Sequence, residues 1–135
     1  MIMNTITVSL TTPDGVNQTY SSVRMLTFGT SAGYETVMAN HVPVIAVLGI
    51  EVMRLTFADY SIKQVFVNDG VLEFKDSAAI IVAQTSEDQD KIDLVRAQAA
   101  KERAESRLSN DEFDQKRAEV ALKKAMTRIK TVTGL

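Results

Sequence analysis

The stretch Ile80-Ile81-Val82-Ala83-Gln84-Thr85-Ser86-Glu87-Asp88-Gln89-Asp90-Lys91-Ile92-Asp93-Leu94-Val95-Arg96-Ala97 changes character halfway along. It opens on an apolar, mostly β-branched run, crosses a polar segment, and continues as charged residues with apolar ones at helical spacing. β-Branched side chains are stiff in helices and suit a pleated, half-buried surface. The polarity switch at Gln84-Thr85-Ser86 therefore predicts a boundary between a strand domain, residues 1–85, and a helical domain, residues 86–135.

Composition on either side agrees. Residues 1–85 hold 4 basic and 7 acidic residues, a net charge of −3, and residues 86–135 hold 11 basic and 10 acidic, a net of +1. Val, Ile and Thr account for 29 of the first 85 residues and 8 of the last 50. Both prolines, five of the six glycines and seven of the eight aromatics precede the boundary.

In the first domain, short strand-like runs alternate with turn signals. Residues 4–10 lead into Thr12-Pro13-Asp14-Gly15, a tight-turn sequence. Runs at 16–20 and 23–28 follow, then a small-residue loop at 29–33, and further runs at 41–50, 51–57, 62–67 and 78–83. Asn68-Asp69-Gly70 inside Val65-Phe66-Val67-Asn68-Asp69-Gly70-Val71-Leu72-Glu73-Phe74 reads as the centre of a hairpin. Strands at this spacing predict an antiparallel β-sandwich or flattened barrel.

The second domain reads as a two-helix antiparallel hairpin. Ser86-x-x-Gln89 and Ser109-x-x-Glu112 fit capping boxes for the two helices. Leu94, Ala97, Ala104 and Leu108 form one seam; Ala118, Leu122, Ala125, Ile129 and Val132 form the other. Alanine-rich seams allow close approach but bury little area, so the hairpin is expected to depend on docking elsewhere.

The whole-chain inventory excludes several functions. A net charge of −2 argues against a protein built to neutralise nucleic-acid phosphates, and the absence of cysteine removes disulfides, thiolate catalysis and Cys-ligated zinc. No apolar run approaches the roughly 20 residues of a membrane span, and Met1-Ile2-Met3-Asn4 shows no basic signal-peptide region, so a cytosolic protein is expected. Neither G-x-x-x-x-G-K-[ST] nor G-x-G-x-x-G occurs. The single histidine, His41, reads as a turn residue bonded to backbone, with no catalytic residue and no metal site expected.

What stands out is cationic. Arg96, Arg103 and Arg107 lie at i, i+7 and i+11, and Arg117, Lys124 and Arg128 repeat that spacing on the second helix. If the seams pair, both ridges line one side of the hairpin. Such a ridge is either a solvated face balanced by Glu102, Glu105 and Glu119, or the wall of a cleft for an anion.

The ordered motifs Thr12-Pro13-Asp14-Gly15, Asn40-His41, Val67-Asn68-Asp69-Gly70-Val71-Leu72-Glu73, Ile92-Asp93-Leu94-Val95-Arg96-Ala97 and Ala99-Ala100-Lys101-Glu102-Arg103-Ala104-Glu105 resemble the epsilon subunits of bacterial F-type ATP synthases along essentially the whole chain. The resemblance implies a non-catalytic central-stalk subunit on the cytoplasmic face of the cell membrane, in a proton- or sodium-translocating motor. Its β-sandwich would join the gamma subunit and rest on the c-ring. Its hairpin would regulate ATP hydrolysis, folding onto the sandwich or extending toward the alpha and beta subunits. Ile92-Asp93-x-x-Arg96-Ala97 matches the I/L-D-x-x-R-A pattern of the ATP-binding members. By that resemblance Glu87, Ile92, Asp93 and Ala97 would surround the adenosine, and Arg96, Arg103, Lys124 and Arg128 would meet the phosphates of ATP acting as a regulatory ligand. Between Gly33 and His41 the chain departs from the family's G-E-L-G-I-L-P-x-H, so no c-ring contact is carried over to this loop. The alternative reading is a stand-alone nucleotide- or anion-sensing domain of the same fold.

Overall fold

The computed structural model describes residues 4–15 and 17–134, so the start of the expected run at 16–20 and the extreme N-terminus lie outside the described residues. Six strands are followed by a short 3₁₀ turn and two helices: β1 (Ile6–Thr11), β2 (Asn17–Thr30), β3 (Gly33–Met38), β4 (Val44–Phe57), β5 (Ile62–Lys75), β6 (Ala78–Asp88), the 3₁₀ turn (Gln89–Lys91), α1 (Leu94–Leu108) and α2 (Gln115–Thr133). The sheet order is β1-β6-β5-β4-β2-β3, and β1 also pairs with β2, which closes five strands into a flattened barrel with β3 on its edge. Neighbours are antiparallel except β1 and β6, which run parallel. The core inside the barrel includes Val8, Leu10, Val23, Leu26, Phe28, Leu55, Leu72, Phe74 and Ile81.

The tight turn at Thr12–Gly15 is present: the Gly15 N–H donates to the Thr12 carbonyl at 3.1 Å, and Gly15 has φ +87°. Elsewhere the strands are longer than the sequence suggests. The run at 23–28 belongs to the 14-residue β2, the runs at 41–50 and 51–57 join from Val44 onward into the 14-residue β4, and β3 corresponds to none of the expected runs.

Asp69-Gly70 is not a hairpin turn. β5 runs unbroken through it, with Leu48 and Ala83 opposite Gly70 on the two flanking strands and Ile50 and Thr85 opposite Asn68. Asp69, not the glycine, takes positive φ at +48°. Gly70 is needed for a different reason: a Cβ there would lie 2.6 Å from the Val82 carbonyl oxygen. The β5–β6 hairpin turns at Asp76-Ser77, with φ +52° and +59° between the paired Lys75 and Ala78. Positive φ at both central residues is the type I′ geometry, whose backbone twist matches the right-handed twist of the flanking strands.

Both expected capping boxes are displaced. β6 runs through Ser86 to Asp88, and α1 is capped by Asp93, whose carboxylate accepts from the Arg96 N–H at 3.2 Å. Ser109 lies at the C-terminal end of α1, and Asp114 caps α2 by accepting from the Arg117 N–H at 3.2 Å. Asp satisfies orphan amides as well as Ser does and adds favourable charge at the helix's positive end.

The seams do pair: Ala97 and Ala104 of α1 and Ala118 and Ala125 of α2 are buried. α2 in turn packs on β4 and β5. On the outer face of the barrel, Val52 pairs with Phe66, Phe66 with Glu87, and Arg54 with Gln64. α2 meets this surface with Arg128 over Phe66 and Thr131 beside Gln64, whose Nε2 donates to the Thr131 carbonyl at 3.4 Å. Ile50, Val52 and Phe66 are buried yet separate from the barrel core. They supply the docking surface that the thin alanine seam lacks.

A cationic cleft at the strand-to-helix junction

The end of β6, the 3₁₀ turn, the first three turns of α1 and Arg128 from the C-terminal half of α2 enclose a cleft of about 560 Å³. Its walls include Glu87, Ile92, Asp93, Arg96, Ala97, Arg103 and Arg128, seven of the eight residues expected of a ligand site. Lys91, Ala99 and Ala100 complete it. The volume lies within the range of small-molecule sites.

Each element has a reason to be there. Lys63 of β5 binds Asp88 at 2.9 Å and approaches Asp90 at 3.8 Å, and the Gln64 N–H donates to the Gln89 side chain. Asp88 also accepts from the Asp90 N–H at 3.0 Å. These bonds hold the 3₁₀ turn on the barrel. The hydrogen bond to Asp88 keeps the Lys63 ammonium protonated above the usual lysine range, and burial, with the Asp88 charge adding to it, pushes the Tyr20 phenol upward. On α1, Arg96, Ala100 and Arg103 follow at i, i+4 and i+7, so small residues form the floor between two guanidinium groups.

Arg128 is engaged within the cleft wall. Its Nε and a terminal nitrogen lie 3.1 and 3.0 Å from Glu87 Oε1, and its guanidinium carbon lies 4.6 Å from the Phe66 ring centre. Glu87, expected beside adenosine, is here the partner of a cation. Asp93 likewise uses a carboxylate oxygen as the α1 cap. Lys91, Arg96 and Arg103 make no ion pair among the described residues.

The structure corrects the six-cation ridge. Lys124 does not line the cleft, and neither do Arg107 and Arg117. The Arg107 guanidinium lies 5.4 Å from the Phe113 ring centre near the interhelix loop. Helical spacing places these cations on common ridges, but the cleft lies where the first turns of α1 face the C-terminal half of α2, so Arg107 and Arg117, near the interhelix loop, lie at the other end of the hairpin. Sequence reasoning overlooked Lys91, although it directly precedes Ile92, and the paired alanines Ala99-Ala100, although they lie between the two arginines.

His41 matches its expectation as a turn residue: its Nδ1 lies 2.7 Å from the Val42 carbonyl, and its ring packs edge-on to Phe74 with centroids 6.1 Å apart. Among the described residues no group of three or more His, Cys, Asp or Glu gathers in a way that suits a metal ion, and no helix is long and apolar enough to cross a membrane.

A β-barrel that carries a helical hairpin on one face, with a cationic cleft at the joint, defines a two-part protein of strand domain and helical domain. Residues 5–89 match the family described as ATP synthase, Delta/Epsilon chain, beta-sandwich domain, and residues 90–133 match ATP synthase, Delta/Epsilon chain, long alpha-helix domain. The chain is similar to the ATP synthase epsilon chain of Pediococcus pentosaceus, 39% identical over 129 residues and covering 92% of each chain. It is 42% identical over 130 residues to that of Levilactobacillus brevis, covering 92% of this chain and 91% of the relative. For Bacillus pumilus the identity is 40% over 129 residues, covering 94% and 96%. Its fold is similar to a chain in the cryo-EM structure of the Euglena gracilis mitochondrial ATP synthase (OSCP/F1/c-ring), with TM-score 0.76, 20% identity and coverage of 94% of this chain and 80% of that one. The chain belongs to the ATP synthase delta/epsilon family, among its bacterial epsilon subunits.

Proposed function

We propose that the chain is the central-stalk subunit that couples gamma to the c-ring of an F-type ATP synthase and restrains ATP hydrolysis through its C-terminal hairpin, with ATP as the ligand that holds the hairpin down. It works as a regulatory, non-catalytic member of the complex, held at the cytoplasmic face of the bacterial membrane by its partners. Family membership supports the place in the complex, and the cleft supports the sensing. One observation carries the regulatory part: the cleft is walled by the barrel end, α1 and α2 together, and its lining holds four cations against two carboxylates. A polyanion bound there touches both the part that moves and the part that stays. Triphosphate oxygens suit the arginines and the lysine, and the alanine floor suits a flat base.

The barrel carries a surface suited to a permanent partner. Ile45 and Val47 of β4, Val71 of β5, and Ile80 and Val82 of β6 are all exposed on adjoining strands, Val47 opposite Val71 and Val71 opposite Val82. A cluster of this kind on an outer sheet face marks a protein contact, and gamma is the partner assigned to it.

The test is ATP hydrolysis by the assembled complex with the full chain and with a chain ending at Lys91, which retains β6 and its ties to Lys63. The truncated complex is expected to hydrolyse ATP at least as fast as the intact one. Slower hydrolysis with assembly intact would overturn the inhibitory role.

A further inference from the structure

The geometry points to Lys91 as a phosphate-contacting cation of the nucleotide cleft, in the place that Lys124 does not occupy. This rests on the nucleotide reading proposed above and names the residue that ties the ligand to the barrel. Lys91 lines the cleft with Arg96, Arg103 and Arg128, whereas Lys124 is absent from its walls. Lys91 is exposed and makes no ion pair among the described residues, so its charge is free for a ligand. Arg128 is already matched by Glu87. The cations without a partner therefore lie on the 3₁₀ turn and on α1.

Their supports differ. Arg96 and Arg103 ride on α1, which leaves the barrel whenever the hairpin does. Lys91 sits at the end of the 3₁₀ turn, which Lys63 and the Gln64 N–H bind to β5. A polyphosphate shared between Lys91 and Arg103 thus connects a barrel-anchored cation to a helix-borne one, and the hairpin stays docked while the ligand is bound. A lysine suits this place: a compact charge on a flexible stem adapts to successive phosphates without a fixed fork geometry.

The experiment is calorimetric titration of the isolated full-length chain with ATP and with AMP, for wild type, Lys91→Ala, Lys91→Arg and Lys124→Ala. Loss of one charge-assisted contact predicts about tenfold weaker ATP binding in Lys91→Ala, recovery in Lys91→Arg, and a change below about twofold in Lys124→Ala. AMP, with fewer phosphate charges, is expected to lose less than ATP in Lys91→Ala, a difference that a purely structural role of Lys91 would not produce. Wild-type ATP affinity in Lys91→Ala, or a larger loss in Lys124→Ala than in Lys91→Ala, overturns the assignment and leaves the nucleotide reading standing. No ATP binding by wild type at millimolar concentrations overturns both.

Discussion

Arg128 of α2 and Glu87 of β6, 41 residues apart in sequence, meet through two nitrogens on one carboxylate oxygen at 3.1 and 3.0 Å. The pair spans the joint between barrel and hairpin, and the Phe66 ring lies beneath the guanidinium. Both side chains are about a third exposed, so the ion pair by itself contributes little, on the order of 1 kcal/mol or less. Its consequence is positional: it holds the C-terminal half of α2 against the sheet.

Arg128→Ala is therefore expected to loosen the docked hairpin while leaving the barrel intact. Amide exchange of α2 should quicken, and that of β2, β4 and β6 should not change. Hydrogen-exchange mass spectrometry of the ligand-free chain reads the difference; equal protection of α2 in both proteins would contradict the latch.

Arg103→Ala should remove most of the ATP-induced thermal stabilisation and scarcely move the ligand-free melting temperature, because Arg103 is exposed and makes no ion pair. A charge-assisted contact is worth about 1.5–3 kcal/mol, a tenfold to hundredfold loss of affinity. Arg107→Ala is the control, since that side chain stacks on Phe113 outside the cleft. Thermal melts with and without millimolar ATP decide it: equal ATP shifts in Arg103→Ala and wild type remove Arg103 from the site.

Gly70→Ala should destabilise the barrel by about 1–3 kcal/mol, because its Cβ has no room beside the Val82 carbonyl. Asp69→Val should cost a similar amount for a conformational reason, forcing a β-branched residue into left-handed backbone. Urea unfolding monitored by circular dichroism measures both. A neutral Gly70→Ala would mean that β5 and β6 separate readily at this point.

Stability should fall as the pH rises above about 10. Lys63 and Tyr20 both have folded-state pKa values above their ordinary ones, so the folded chain binds more protons than the unfolded chain between the two. Their contributions are complete below the unfolded pKa and are lost as pH climbs through the folded one. Tyr20→Phe should make that alkaline decline shallower, as read from urea midpoints at intervals from pH 8 to 11.5. An identical decline would show that Tyr20 does not contribute.

Much of the architecture was legible from local chemistry. The shift from β-branched to charged residues located the barrel and the hairpin, and the spacing of Ala97, Ala104, Ala118 and Ala125 identified the residues that bury. Turn reading worked at Gly15, where the glycine itself has positive φ. It failed at Asp69-Gly70, because the same dipeptide serves a continuous strand when two neighbours are bonded on either side. It failed again at Asp76-Ser77, where closure of the β5–β6 pair imposes a conformation those side chains do not announce. Ser86 and Ser109 looked like caps for a similar reason: sheet pairing extended β6 past the first, and the interhelix loop passed the second to Asp114.

By itself the sequence determined the strand-then-helix order and the alanine seams. These rest on interactions between residues close in the chain, where periodicity and propensity act. The tertiary structure alone decided that β1 closes the barrel between β2 and β6, that α2 and not α1 lies on the sheet, that Glu87 is held by Arg128, and that Lys91 enters the cleft while Lys124 stays out. Each of those depends on the angle and register at which distant segments meet, and packing of the whole barrel surface sets them.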